Sequence, residues 1–485
     1  MQEKEDLIPR LGYYTTLAIV VGAVIGSGIF KKPAVMAAQL GSAELMIFVW
    51  VLAGVLTLFG ALSNAEIASM ITKTGGQYVY FEKMYGKLPS FLYGWALLAV
   101  IQSGSIASIA WVFAEYSQHF HLFRMPEFFT PDEIANSLFH IPFIGDITPL
   151  KHFGVKLITS GTIILLSVVN YFGVIFGGGV AAFFTSAKVL AIFILVAFGF
   201  AYGGGSIENF TLDSTVSTYA EIGMFAAIIA SLSGALWSYD GWNNITYIAG
   251  EVKKPQLYIP KALFIGTMII ITVYVLINLA FLYVLPVEEM AKSTLVAADV
   301  AHKAMGSLGA AFVAAAVMVS TFGTSNGTIM VSARVYYAMA KNRMFFQKIG
   351  KASRYKTPAN SILIQAVWSS MLVFSGTFDT LTDMLIFVSW IFYAAGAYGV
   401  FVLRKKMPDA PRPYKVIGYP YVPAIFVVMA SIFVVMTLYN DINSYLIGNS
   451  DLINSVFGLF LVATGLPLYY YFNWKNKKDD IKAIK

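Results

Sequence analysis

The sequence predicts an all-α integral membrane protein of twelve transmembrane helices, and three observations carry that prediction. Of 485 residues, 58% are hydrophobic and only 12% are charged, about half the charge of an ordinary globular chain. The mean hydropathy is +0.70, so ions cannot cover a soluble surface. The apolar residues gather into charge-free stretches of the roughly 20 residues that a helix needs to cross a bilayer. High hydrophobicity with 38 Phe and 28 Tyr excludes a disordered chain. A soluble enzyme, a nucleic-acid binder and a secreted disulfide scaffold are poor readings for the same reasons.

The spans follow in order. Residues 11–30, 45–65 and 88–114 form the first three. Residues 157–187 are too many for one crossing. They divide into a fourth span ending near Phe172, a glycine-rich turn at Gly173 and Gly177 to Gly179, and the start of a fifth span continuing through 189–207. The remaining seven are 222–239, 262–287, 304–333, 357–378, 384–403, 416–440 and 452–473. Twelve such helices use about half the chain, and short loops use the rest, so no separate soluble domain is expected. One connection is longer, at about 119–152, with four prolines and mixed charge. It suits either a structured cap or a mobile loop.

Charge sets the orientation. With the N-terminus in the cytoplasm, the cytoplasmic segments hold 24 of the 33 Lys and Arg, and the outer segments hold seven, Lys31, Lys32 and Lys156 among them. This asymmetry places both termini inside and makes the net charge of +7 a topology signal. No cleaved signal peptide is expected. Zero cysteines excludes disulfides, thiolate metal sites and thiol catalysis. The five histidines show no metal-ligand spacing, and no metal or cofactor is expected. Arg334, Lys341, Arg343 and the Lys405–Lys406 pair read as interfacial anchors that meet anionic lipid headgroups.

Two spans break. The first contains Gly26-Ser27-Gly28 in mid-membrane, where each glycine costs about 1 kcal/mol relative to alanine. The sixth runs Trp237-Ser238-Tyr239-Asp240-Gly241-Trp242-Asn243-Asn244, with a carboxylate and two amides where apolar residues should continue. Backbone unwinds at membrane depth only where protein or a water-filled cavity satisfies it. Each break opens a five-helix block, so the expected organisation is a first repeat over 1–205, a second, inverted repeat over 206–403, and two further helices with a cytoplasmic tail over 404–485. Paired breaks in corresponding positions mark a transporter site at the midplane, where half-helix N-termini take an anionic group and unwound carbonyls a cation. Together they describe a zwitterion. Gly26-Ser27-Gly28 also fits a small-residue packing face between helices.

The motifs resemble a known family. Gly22-Ala-Val-Ile-Gly26-Ser27-Gly28-Ile29-Phe30 with Pro33 is similar to the first-helix signature of the amino acid–polyamine–organocation superfamily. Within it, Ser238 to Asn243, Gly250-Glu251-Val252-Lys253-Lys254-Pro255, Phe322 to Gly327 and Gly75-Gly76-Gln77-Tyr78-Val79-Tyr80 resemble the L-type amino acid transporter family. The resemblance implies a leucine-transporter-like fold and transport of amino acids by alternating access. Two departures stand out. The outer loop is longer than usual, and the disulfide by which animal members hold an accessory glycoprotein is impossible without cysteine. That favours a bacterial-type stand-alone carrier in the plasma membrane.

Site roles follow from the resemblance. The substrate carboxylate is expected on the amides of Gly26, Ser27 and Gly28, and its amine on the carbonyls of Val24, Trp237 and Ser238. Trp237 matches an aromatic outer gate, and Tyr239, Asp240 and Asn326 complete the pocket. Asp240 is also a preferred residue for capping the half-helix that starts near Gly241. Lys188, in a span where a charge costs about 2.5–3.5 kcal/mol, matches the lysine that stands in for sodium in sodium-coupled relatives. Snorkelling to the interface is the plain alternative. Tyr274 has a buried hydroxyl that needs a partner and is expected to help close the site near Lys188. The expected function is sodium-independent exchange of small neutral L-amino acids; a proton-coupled amino acid or polyamine symporter is the alternative, since a buried lysine also titrates. An intramembrane enzyme would need paired acids, and a channel a continuous polar lining, and neither pattern is present.

Overall fold

The computed structural model describes residues 9, 11–172, 178–211, 223–355 and 357–484. It is helical apart from one small hairpin. Among the described residues ten helices are long and apolar enough to cross a membrane. The expected sixth and ninth crossings are shorter, 15 residues each, at Met224–Ser238 and Ala359–Val373. The sixth stops at its break, and the ninth is bounded by Pro358 before it and Phe374 after it. The glycine-rich turn around 173–177 lies outside the described residues, and the next helix is described from Gly178. The expected eighth span is part of one long helix, Val296–Lys341, kinked at Gly306, whose φ of +72° suits glycine.

The Lys87–Ser117 helix is the most enclosed of these ten, with most of its residues buried. Tyr421–Leu446 and Asn454–Ile481 show most of their surface outward, as lipid-facing helices do. The first span breaks as expected. Tyr13–Val24 ends where Ile25 turns extended, and a second half-helix starts at Gly28. That half-helix runs on to Leu40, where Gly41 closes it in the left-handed conformation (φ +62°) with its N–H on the Ala37 carbonyl. Lys31 and Lys32 therefore lie inside a helix. They are not the outer-loop charges the sequence suggested, and Lys32 and Lys156 are both buried.

The long loop at about 119–152 is structured. A capping box between Thr130 and Glu133 starts the short helix Pro131–Asn136. Phe139–Ile141 pairs antiparallel with Gly145–Ile147, and the hairpin joins the 451–453 segment through Asp146 N–H to Asp451 O and Ile453 N–H to Ile144 O. At the opposite end, Glu66 is buried under Arg404, with bonds of 2.9 and 2.7 Å, and Arg412 at 3.4 Å. Arg334 is not a lipid anchor: its Nε donates to Glu251 at 2.6 Å, because the long helix carries it to the connection after the sixth span. Leu11 pairs with the same connection, its N–H on Glu251 O and its carbonyl accepting from Lys253 N–H.

Candidate substrate site at the two helix breaks

Gly28 begins its half-helix with no side-chain cap, and Phe30 N–H bonds back to Ser27 O at 3.1 Å; an uncapped helix N-terminus of this kind favours an anion. The Ser27 hydroxyl beside it is buried and, among the described residues, has no partner. The two breaks touch. A Cβ on Gly28 would lie 2.6 Å from Ser238 Cα, so this glycine permits close helix approach, while a Cβ on Gly26 would meet Thr324 Cγ2 at 3.4 Å. Small-residue packing thus accounts for Gly28 and leaves Gly26 with near-ordinary room. Gly241 is needed twice over: its φ is +99°, and a Cβ there would stand 2.9 Å from Ala23 O.

Lys188 does not snorkel. Its ammonium is buried and donates to Gly22 O at 2.9 Å, Ile25 O at 2.8 Å and Thr324 Oγ1 at 2.8 Å. The Gly22 and Ile25 carbonyls lie where the first half-helix stops supplying i+4 amides, and the lysine takes that place. It binds the Gly178–Ala201 helix, the first break and the Val296–Lys341 helix into one junction. The Tyr274 hydroxyl sits 2.9 Å from both Val24 O and Ser238 O, bridging the two breaks from the Pro255–Val284 helix. Val24 and Ile25 are consecutive, so Tyr274 and Lys188 hold neighbouring peptides.

The other expected residues are spread around this junction. Trp237 O accepts from Asp240 N–H at 3.0 Å and from Tyr239 N–H, while Val24 O and Ser238 O share the single hydroxyl proton of Tyr274. The Trp237 ring meets Phe378 edge-on at 5.0 Å. Asp240 accepts from the Tyr393 hydroxyl at 2.6 Å, while the short helix Trp242–Glu251 starts at Gly241 without a side-chain cap. Tyr239 packs on Tyr274 and Trp50, at 4.9 and 5.9 Å, toward the Ala43–Met70 helix. Asn326 accepts at Oδ1 from Asn170 at 2.7 Å. Sequence reasoning missed Thr324, Tyr393, Phe378 and Lys32. Lys31-Lys32 directly after Ile29-Phe30 was the available signal, since the helix has no stop before Gly41. Among the described residues, no group of three or more His, Cys, Asp or Glu is placed to hold a metal.

A family profile described as amino acid permease matches residues 11–462. The chain belongs to that family. Among relatives, the permease is 30% identical over 472 residues to the serine/threonine exchanger SteT of Bacillus subtilis, covering 96% of this chain and 98% of that one. It is 29% identical over 479 residues to the human cystine/glutamate transporter, covering 98% and 88%. It is 29% identical over 433 residues to the human b(0,+)-type amino acid transporter 1, covering 89% and 82%. The resemblance read from the motifs therefore holds. The permease is a multi-pass integral membrane protein of a transporter family, and its function is amino acid transport.

Proposed function

We propose that the permease is a sodium-independent exchanger of small neutral L-amino acids, working by alternating access around the two breaks. The observation that carries this reading is the Lys188 ammonium on the Gly22 and Ile25 carbonyls. A sodium ion held about 4 Å away would be repelled by about 4 kcal/mol at an effective dielectric of 20. The family resemblance implies that this ammonium stands where sodium-coupled members hold the ion. The Bacillus relative is by name a serine/threonine exchanger, which supports exchange and a small neutral substrate.

In this reading the Gly26, Ser27 and Gly28 amides take the carboxylate, and the Val24, Trp237 and Ser238 carbonyls take the amine. Trp237 covers the substrate from outside. Tyr239, Asp240 and Asn326 act from behind the wall, through Tyr274, Tyr393 and Asn170. The organisation is twelve spans: a repeat over 1–205, its inverted counterpart over 206–403 and two further helices over 404–485. Both termini face the cytoplasm of a bacterial cell, and with no cysteine the chain works without a disulfide-linked subunit.

Counterflow in proteoliposomes tests this. Labelled serine should enter vesicles preloaded with unlabelled serine or alanine and stay out of empty ones, at the same rate in sodium or choline. Uptake that collapses in choline ends the proposal. The second reading, proton-coupled symport of an amino acid or polyamine, draws on Asp240, a carboxylate in the break hydrogen-bonded by a neutral tyrosine. Uptake into empty vesicles driven by an acid exterior would select it.

A further inference from the structure

On the surface of the bundle, the Phe153–Tyr171 and Ala359–Val373 helices enclose a groove of about 680 Å³. Small residues form its floor, Ser167, Ala366 and Ser370, and both serine hydroxyls are buried. Large apolar side chains form its walls and stand exposed, Ile164, Val168 and Met371 among them. The lining runs from Ile362 to Phe374, about 18 Å of helix at 1.5 Å per residue. Half of the hydrocarbon core is about 15 Å thick, so the groove is as deep as one leaflet.

One end of the groove is basic. Phe172 belongs to the lining and meets the Tyr355 ring edge-on at 5.6 Å, while Thr357 Oγ1 donates to Tyr171 O at 3.0 Å. These contacts bring the connection that follows the Val296–Lys341 helix to the mouth of the groove. There the Arg354 guanidinium lies 4.7 Å from the centre of the Tyr355 ring and donates to its hydroxyl at 2.6 Å. Most of its five N–H donors remain free. Asn360 Nδ2 donates to Lys348 O at 2.6 Å, which ties exposed Lys348 to the start of the Ala359–Val373 helix. Lys351 is exposed on the same connection, and residues 342–360 include no acidic side chain.

We propose that this groove binds an anionic phospholipid of the inner leaflet. One acyl chain lies between the two helices, and the phosphate sits on Arg354 with Lys348 and Lys351 beside it. A planar guanidinium takes phosphate oxygens two at a time, and basic residues just outside a span attract anionic lipid. A neutral lipid would leave the cationic mouth unanswered. A second copy of the permease, inserted the same way, would bring its own basic connection to the same level. The bound acyl chain braces the Phe153–Tyr171 helix, whose Asn170 donates to Asn326 at 2.7 Å. The site takes only its orientation from the proposed function, and its test uses neither orientation nor transport.

The test is native mass spectrometry of the purified full-length permease, equilibrated in detergent with equal amounts of dioleoylphosphatidylglycerol and dioleoylphosphatidylcholine. One phosphatidylglycerol should be retained per protein, in preference to phosphatidylcholine by at least about tenfold. Arg354→Gln, on an exposed connection, should lower that preference about fivefold, the factor that about 1 kcal/mol for one basic residue near an anionic surface corresponds to. Ser370→Phe fills the floor and should abolish retention of both lipids. Lys477→Gln, exposed on the C-terminal tail, should change nothing. Equal retention of the two lipids by the unaltered protein overturns the site, and so does undiminished phosphatidylglycerol preference in Arg354→Gln. A dimer mass that Ser370→Phe removes would put a second copy in the groove and overturn it too.

Discussion

Replacing Lys188 by alanine is the sharpest test of how the first span is held open. The side chain leaves, and three partners lose a donor: Gly22 O, Ile25 O and Thr324 Oγ1. Thr324 keeps its own bond to Ser320 O at 2.9 Å, so the loss falls on the two carbonyls. A buried acceptor left unsatisfied costs about 1–3 kcal/mol, which sums to about 2–6 kcal/mol for the pair. Even 2 kcal/mol charged to the step that rearranges the break slows it about thirtyfold. Affinity should move little, because the ammonium contacts the break's carbonyl side and leaves the Gly26, Ser27 and Gly28 amides untouched. The assay is counterflow of labelled serine in proteoliposomes, with Lys188→Ala protein quantified in the vesicles. Maximal rate should fall at least about thirtyfold and the half-saturating serine concentration should shift less than about threefold, below 1 kcal/mol. A Lys188→Ala protein exchanging at the normal rate would falsify this account, and so would a variant whose whole defect is in affinity.

Two glycines in the first break should behave differently. Gly28→Val forces a side chain against Ser238 Cα at 2.6 Å, an overpacking of about 1–3 kcal/mol or more, and should reduce folded protein in the membrane by size-exclusion profile. Gly26→Ala meets Thr324 Cγ2 at 3.4 Å and should fold normally while losing serine uptake; full uptake would argue against the amide site. Competition against labelled serine should be strong for alanine and threonine and weak for tryptophan if Trp237, packed edge-on against Phe378, covers the substrate as proposed; equal competition by tryptophan would remove the size argument. Glu66→Gln breaks a buried pair with Arg404 and Arg412 far from the breaks. It should cost about 3 kcal/mol, seen as a lower Tm in detergent, with the order of substrates in competition unchanged.

Much of this protein is legible in its chain. Helices in a bilayer are read from length and charge, because a lipid environment penalises every exception locally. The same logic exposes the breaks: Gly26-Ser27-Gly28 and Asp240-Gly241 are poor helix interior whatever surrounds them, and the structure interrupts its helices at both. Lys188 could be singled out in the same way, as a charge in an apolar run that needs a partner. The partners themselves were not legible. Lys32 finds Asp379 across 347 positions and Asn170 finds Asn326 across 156, and no local pattern encodes which polar side chains packing will bring together. Lys32 was misplaced for that reason: adjacent to a span end it reads as a loop charge, and only the continuation of the half-helix to Leu40 buries it. Arg334 likewise reads as a lipid anchor until the fold supplies Glu251. Local backbone cost is a property of neighbouring residues, so the chain alone determined where its helices must fail. Charge pairing is a property of distance in space, so only the packed bundle decided what those failures hold together.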